Sequence, residues 1–423
     1  MPASPSTARA INDRLALRLL QQEGPLTAGQ LKQLTGLSRP TVADLVDRLT
    51  ASGLITVVGE SGAQRRGPNA RLYGIVADRA HLAALDVRTE GVLVLVSDLV
   101  GRVLAEASVP IGADAGTGPA VEQAVAAVES AAKEAGADRL HTVGIGAPGL
   151  IDPATGDLRD SAGLPAWHRS LAATLQDRLP GARITVENET NLAALAEQRE
   201  GAARDRDTFV LLWLGHGVGA AVVLDGTLRR GASGGTGEIG FLPVPGTDTL
   251  PSATDCAGGF HSLTGASAVA ALAAECGLPA PAAPDGPGAA EAVRGAVAEV
   301  ERAGAETPAR SAVPVPVSVP VALPGDLPAT RFLRVLADRI AVGAASVVAV
   351  LDPGCVVLGG EVGQAGGAVL AGLVEERLRR MSPLVTEVRA SGLGGTAVLR
   401  GALLTARERA QDELFAPPER PGG

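Results

Sequence analysis

LGHGVGAAVVLDGTLRRGASGGTGEIGFL, from Leu214 to Leu242, is the stretch on which the reading of this chain turns. Gly215, Gly217 and Gly219 keep side chains away from the backbone, so amides there can come close to a ligand. Asp225-Gly226 between two apolar runs is a strong hairpin signal. A second Gly-rich loop follows and ends in one carboxylate, Glu238, set between glycines. Such a stretch suits a small polar ligand, although Gly-rich loops that bind nothing are also common.

Outward from this stretch the pattern occurs twice. Thr208 to Leu214, Gly219 to Leu224 and Thr227 to Arg229 read as strands, with helices and the strand Cys355 to Leu358 after them. Earlier, His81 to Val87 and Gly91 to Val96 form an apolar hairpin, and Arg102 to Val109 adds a third strand. A helix from Pro119 to Ala135, the strand Thr142 to Gly146 and the loop Ala147 to Asp152 follow. This repetition predicts a duplicated α/β domain with a cleft between its halves, where ligands of such folds sit.

The chain has 423 residues, enough for two or three compact units. Hydrophobic residues make up 46% but aromatic ones only 2%, so the core must be built from Ala, Val and Leu. No apolar run is long enough to span a bilayer and the N-terminus lacks an apolar signal core, which predicts a cytoplasmic protein without a membrane role. Cys256, Cys276 and Cys355 are an odd, scattered set, which argues against a disulfide framework. The net charge of -9 is unevenly spread: residues 1–80 carry +4 and the remainder -13. A basic module on an acidic body suits a DNA-binding head on a sensor.

The first 78 residues support that reading. Asn12 to Gln22 fits a helix ended by Gly24-Pro25; Thr27 caps a second helix that stops at Gly36; Ser38 caps a third with Pro40 in its first turn. Three short helices with a Gly turn spell helix-turn-helix. Val42, Leu45, Val46 and Leu49 share one face of the third helix. Thr41, Asp44 and Arg48 share the other, and Ser38 and Arg39 stand near its start, where recognition helices meet base edges and phosphates. Asp44 suits specificity better than affinity, since it would repel phosphate. Strands from Leu54 to Val58 and from Arg71 to Val76 flank a loop carrying Arg65 and Arg66, a wing whose arginines suit a minor groove. The expected DNA contacts are therefore Thr27, Ser38, Arg39, Pro40, Thr41, Asp44, Arg48, Arg65 and Arg66.

Four motifs carry a resemblance: GIGAPGLIDPATG from Gly144, VENETNLAALAE from Val186, the stretch from Leu214, and LDPGCVVLGGEV from Leu351. Over nearly its whole length the chain resembles the ROK family of repressors, open reading frames and kinases, within the actin-like ATPase and sugar kinase superfamily. The resemblance implies an N-terminal winged helix-turn-helix over residues 1–78 and two actin-like, ribonuclease H-like subdomains over 79–203 and 204–423. The second carries a Pro/Ala-rich insertion near 279–328, with a helix from Ala290 to Arg302.

Kinases of that family hold ATP phosphates on a Gly-rich hairpin in each half and use an Asp as general base toward a sugar hydroxyl. Where they have Asp-x-Gly-Gly-Thr-Lys, this chain reads Asp86, Val87, Arg88, Thr89, Glu90. Where they have the base, it reads Glu189, in Glu187-Asn188-Glu189-Thr190-Asn191. The extra methylene moves the carboxylate by about a bond length, and displacements near 1 Å can cost about a hundredfold in rate. Glu187 and Glu189 also suit a solvated helix start. Glu238 matches the family's sugar-contacting Glu, but Phe241 replaces a zinc-binding His. The family's cysteine cluster has become Asp255, Cys256, Ala257, Gly258, Gly259, Phe260, His261, which is not a closed zinc site. His261 faces the ligand or is structural.

The resemblance thus implies a transcriptional regulator, a repressor, whose operator binding is modulated by a sugar or sugar derivative. Asn188, Glu189, Glu238 and His261 are the expected sugar contacts, with operator DNA as partner and no catalytic residue, metal or cofactor. One short recognition helix reads too few bases, which predicts a homodimer or homotetramer. The alternatives are an ATP-dependent sugar kinase with a DNA-binding head and a DNA-binding scaffold with a dead pocket.

Overall fold

The computed structural model describes residues 5–61, 70–112, 114–159, 164–253, 257–306, 325 and 327–416. Three layers of sequence pattern become three sheets. The head consists of α1 (Pro5–Glu23), β1 (Leu26–Thr27), α2 (Ala28–Thr35), α3 (Arg39–Ala51), β2 (Ile55–Ser61) and β3 (Ala70–Ile75), its strands paired antiparallel in the order β1-β3-β2. Gly36 ends α2 at φ 70°, a left-handed conformation that favours glycine, and its amide donates to the Lys32 carbonyl. Val42, Leu45, Val46 and Leu49 are all buried, as their spacing predicted. The first helix is longer than its apolar pattern suggested, because nothing between Pro5 and Asn12 breaks a helix and proline is tolerated in a first turn.

The first half of the body comprises β4 (His81–Arg88), β5 (Gly91–Asp98), β6 (Val103–Pro110), α4 (Thr117–Glu134), β7 (Leu140–Ala147), α5 (Trp167–Arg178), β8 (Arg183–Asn188) and α6 (Glu189–Glu200). The second comprises β9 (Phe209–Leu214), β10 (Val218–Leu224), β11 (Thr227–Arg229), α7 (His261–Thr264), α8 (Ala266–Glu275), α9 (Gly286–Glu306), α10 (Pro328–Leu351), β12 (Cys355–Gly359), α11 (Gly360–Met381), β13 (Glu387–Ala390) and α12 (Ala397–Leu414). The sheets run β6-β5-β4-β7-β8 and β11-β10-β9-β12-β13, each an antiparallel meander followed by two parallel strands. The duplication read from the sequence is therefore present strand for strand. Asp225 (φ 53°) and Gly226 (φ 71°) both take positive φ in the β10–β11 turn, as a two-residue hairpin requires. The helix expected from Ala290 starts at Gly286 instead, because the Asp285 carboxylate accepts the Gly288 amide at 2.8 Å.

The chain's last described helix does not stay with the half that precedes it: α12 returns to pack on β4, β7 and α6. Glycine makes the approach possible. A Cβ on Gly401 of α12 would overlap the Leu192 carbonyl oxygen of α6, and one on Gly144 of β7 would overlap the Ala402 carbonyl oxygen. At the far end of α6 the buried Glu197 carboxylate accepts the amides of Ala202 (2.6 Å), Gly392 (3.1 Å) and Leu393 (3.2 Å) and the Ser391 hydroxyl. The head joins this layer through α1, whose Leu17 and Leu20 share one hydrophobic cluster with Leu99, Leu403 and Phe415 of the body.

Two glycine substitutions of opposite sign test this packing. Gly401→Ala should lower unfolding free energy by about 1–3 kcal/mol through overpacking. Gly295→Ala, on exposed helical surface with no atom near its would-be Cβ, should raise it by about 0.4–1 kcal/mol. Chemical denaturation of the two variants beside the parent protein reads both.

Candidate functional site

The cleft is built around the point where β8 becomes α6. Asn188 ends the strand and caps the helix: its Oδ1 accepts the amides of Thr190 (2.9 Å) and Asn191 (3.2 Å). Its Nδ2 donates to the Gly149 carbonyl at 3.0 Å and to Glu189 Oε2 at 2.9 Å. Every polar atom of that side chain is thus engaged within the protein, and Asn188 acts here by orienting Glu189. Glu187 is engaged as well. Its Oε1 accepts the Asn188 amide and Asn191 Nδ2, both at 3.0 Å, and its Oε2 takes Arg230 from the second half at 2.7 Å. That ion pair joins the two halves across the cleft.

Glu189 is half-buried at the first turn of α6, and its carboxyl is pushed up to about 8. Loss of water is the largest cause, and the negative charges of Glu238, Asp86 and Glu361 add to it. Glu238 is exposed to the cleft, with its carboxyl also raised by the surrounding protein. Its loop lies tight against both halves. Gly237 (φ 92°) leaves no room for a Cβ beside the Ala220 carbonyl oxygen, and Gly234 (φ 81°) leaves none beside that of Ile151. The Gly237 carbonyl accepts the Ala220 amide at 2.7 Å, which fixes the loop to β10. His261 starts α7 with its ring against Gly240 and edge-on to Phe241, centroids 5.4 Å apart. Burial, then His216, lowers its pKa, so the ring is neutral at pH 7.

The two hairpins that face each other across the cleft carry charge. Asp86 is buried, and burial raises its pKa although Arg88 holds it at 2.7 Å. Arg88 also donates to the Gly395 carbonyl at 3.0 Å, and its own carbonyl meets His168 Nε2 at 3.2 Å. Glu361, in the first turn of α11, was not singled out from the sequence. Its Oε2 is buried without a hydrogen-bond partner, beside Gly215, where a Cβ would overlap it. The cue was a Gly-Gly-Glu run directly after a buried strand.

In the head, Ser38 caps α3 by accepting the Thr41 amide at 3.3 Å, and Ser38, Arg39 and Pro40 are exposed with Thr41 partly so. Thr27 is buried and forms a capping box with Gln30. Arg48 is held by Asp13 at 2.6 Å and by Asp44, so its guanidinium ties α3 to α1. Arg65 and Arg66 lie outside the described residues, as do Asp255, Cys256 and residues 307–324 of the Pro-rich segment. No helix among the described residues is long and apolar enough to cross a membrane.

Comparison with known proteins bears on both parts. The profile of the ROK family matches residues 83–409, and that of the MarR family matches residues 11–67. A xylose repressor of Caldicellulosiruptor bescii is 26% identical over 250 residues, spanning 58% of this chain and 61% of that protein, so the chain covers less than two thirds of that relative. Among solved structures, a ROK family transcriptional regulator homologous to the E. coli MLC protein superposes with a TM-score of 0.71 at 21% identity, covering 96% of this chain and 98% of that one. A ROK hexokinase from Thermus thermophilus superposes with a TM-score of 0.58 at 27% identity, covering 78% of this chain and 99% of that one. The former shares the fold over the head as well as the body.

The raised carboxyl of Glu189 has a definite pH signature. Its folded pKa lies above the unfolded one, so its contribution to stability is full below the ordinary carboxylate range and is lost as pH rises through about 8. Between pH 5 and 9 the melting temperature of Glu189→Gln should therefore fall less than that of the parent protein. Equal slopes in differential scanning calorimetry would contradict the assignment.

Proposed function

The chain belongs to the ROK family, and from that premise we propose that it is a DNA-binding transcriptional regulator, a repressor, controlled by a sugar or sugar derivative in the cleft. The observation that carries the reading is one chain joining a MarR-type head to a ROK body whose nucleotide-side hairpins present carboxylates. Residues 1–78 are the DNA-binding unit, and 79–203 and 204–423 are the halves that enclose the effector. The fit of ATP is poor. A polyphosphate would meet the exposed Glu90 on one hairpin and Glu361 beside Gly215 on the other, where backbone amides and a helix start would otherwise favour an anion. Arg88, the cation beside these groups, is already committed to Asp86.

A neutral polyol suits the same groups. Glu238 accepts from hydroxyls, a protonated Glu189 donates one hydrogen bond and accepts another, and His261 supplies a neutral nitrogen. Asn188 holds Glu189 in place. Sugar binding shifts the balance between arrangements of head and body that do and do not bind DNA. Ser38, Arg39, Pro40 and Thr41 meet the operator, joined by Arg65 and Arg66. A homodimer or homotetramer in the cytoplasm presents paired recognition helices to paired half-sites.

The rival reading is a sugar kinase with a DNA-binding head. It draws on the hexokinase likeness and on Glu189, whose raised pKa suits a general base.

Three measurements on the purified protein separate these readings. Binding to the DNA upstream of its own gene should be sequence-dependent and salt-sensitive, and Arg39→Ala should weaken it about tenfold or more. A screen of saccharides should yield one that raises the melting temperature and changes DNA affinity, both effects being lost in Glu238→Ala. ATP turnover that depends on the same saccharide would favour the kinase.

A further inference from the structure

A cavity of about 630 Å³ lies outside the cleft, at the seam between head and body. Its walls come from α1 of the head and from the C-terminal parts of α6 and α12. Four arginines line it: Arg14, Arg18, Arg199 and Arg407. Two of these are neutralised within the seam, Arg14 by Asp412 at 3.3 Å and Arg199 by Glu408 at 3.2 Å. The third lining acid, Glu200, is taken by Arg400, which stands outside the cavity, at 3.1 Å.

Arg18 and Arg407 remain, and among the described residues neither has an ion-pair partner. Arg407 is partly buried, and its Nη1 donates a long hydrogen bond to the Val100 carbonyl at 3.4 Å. Burial lowers its pKa, and the charges of Glu200 and Glu408 across the seam offset that only in part. A guanidinium has five N–H donors in a fixed fork that matches phosphate oxygens. Beside the pair, Gln22 adds an exposed amide, and Leu404 and Phe415 add apolar wall.

We propose that the seam cavity binds a small phosphate monoester, whose phosphate is held by Arg407 of the body and Arg18 of the head. The size suits a metabolite, since ligand pockets span roughly 300–1,000 Å³. The two free guanidiniums form charge-assisted bonds to the dianion, and the Gln22 amide meets a hydroxyl of its ester. Because one arginine belongs to each unit, the bound anion bridges head and body and stiffens the seam. This site is separate from the cleft, and its existence does not depend on what the cleft binds.

Isothermal titration calorimetry of the full chain with inorganic phosphate, glycerol 3-phosphate and glycerol tests the proposal. Both phosphates should bind, glycerol 3-phosphate the tighter, and glycerol should not. Arg18→Ala, at an exposed position that the fold does not need, should weaken phosphate binding about tenfold, and Arg407→Gln by at least as much. Glu238→Ala and Arg39→Ala should leave it unchanged. Absence of phosphate binding, an unchanged affinity in Arg18→Ala, or loss in Glu238→Ala or Arg39→Ala would overturn the assignment.

Discussion

One helix, α6, is fixed at both ends by side chains, and the remainder of the body is arranged on it. At its start Asn188 takes two backbone amides and steers Glu189 into the cleft. Near its end the buried Glu197 gathers three amides and a hydroxyl from two separate connections. A buried carboxylate is tolerable only when its lone pairs are taken, and here donors from the 201–203 and 391–393 segments take them. Between these anchors the helix lies against α12 so closely that Gly401 has no alternative. A ligand that moves Glu189 therefore pushes on a rigid rod whose other side is α12, and α12 carries Gln411, which donates to Gln21 of the head at 2.8 Å.

The electrostatics of the cleft follow from the same geometry. Asp86, Glu189, Glu238 and Glu361 act on one another there, and Arg88 is bound to Asp86. Crowding and loss of water raise these carboxyls, and Glu189, pushed up to about 8, becomes a donor as well as an acceptor. That suits hydroxyl groups and opposes phosphates. The Glu187–Arg230 pair across the halves adds a contact that opening or closing of the cleft must keep or break.

Much of this was legible in the sequence because it rests on local rules. Gly36, Ser38 and Pro40 mark helix ends wherever they occur in such a pattern, and the head followed them. Asp225-Gly226 fixed its hairpin in the same way. What could not be read depends on contacts between distant segments. Nothing in α12 announces that it crosses to the first sheet, and nothing near Arg48 shows that Asp13, 35 residues away, holds it. Asn188 looked like a sugar contact, since its motif is polar and lies in the cleft, but its hydrogen bonds are spent on the chain itself. Glu361 was hidden in an apolar run, and only the fold brings it opposite Gly215.

The central claim is that the cleft communicates with the head through α6 and α12. Hydrogen–deuterium exchange of the full chain, with and without a saccharide that binds the cleft, tests it most directly. Exchange should change in α6, α12 and α1 together. Changes confined to the loops around Glu238 and His261, with α1 and α12 unaffected, would contradict it.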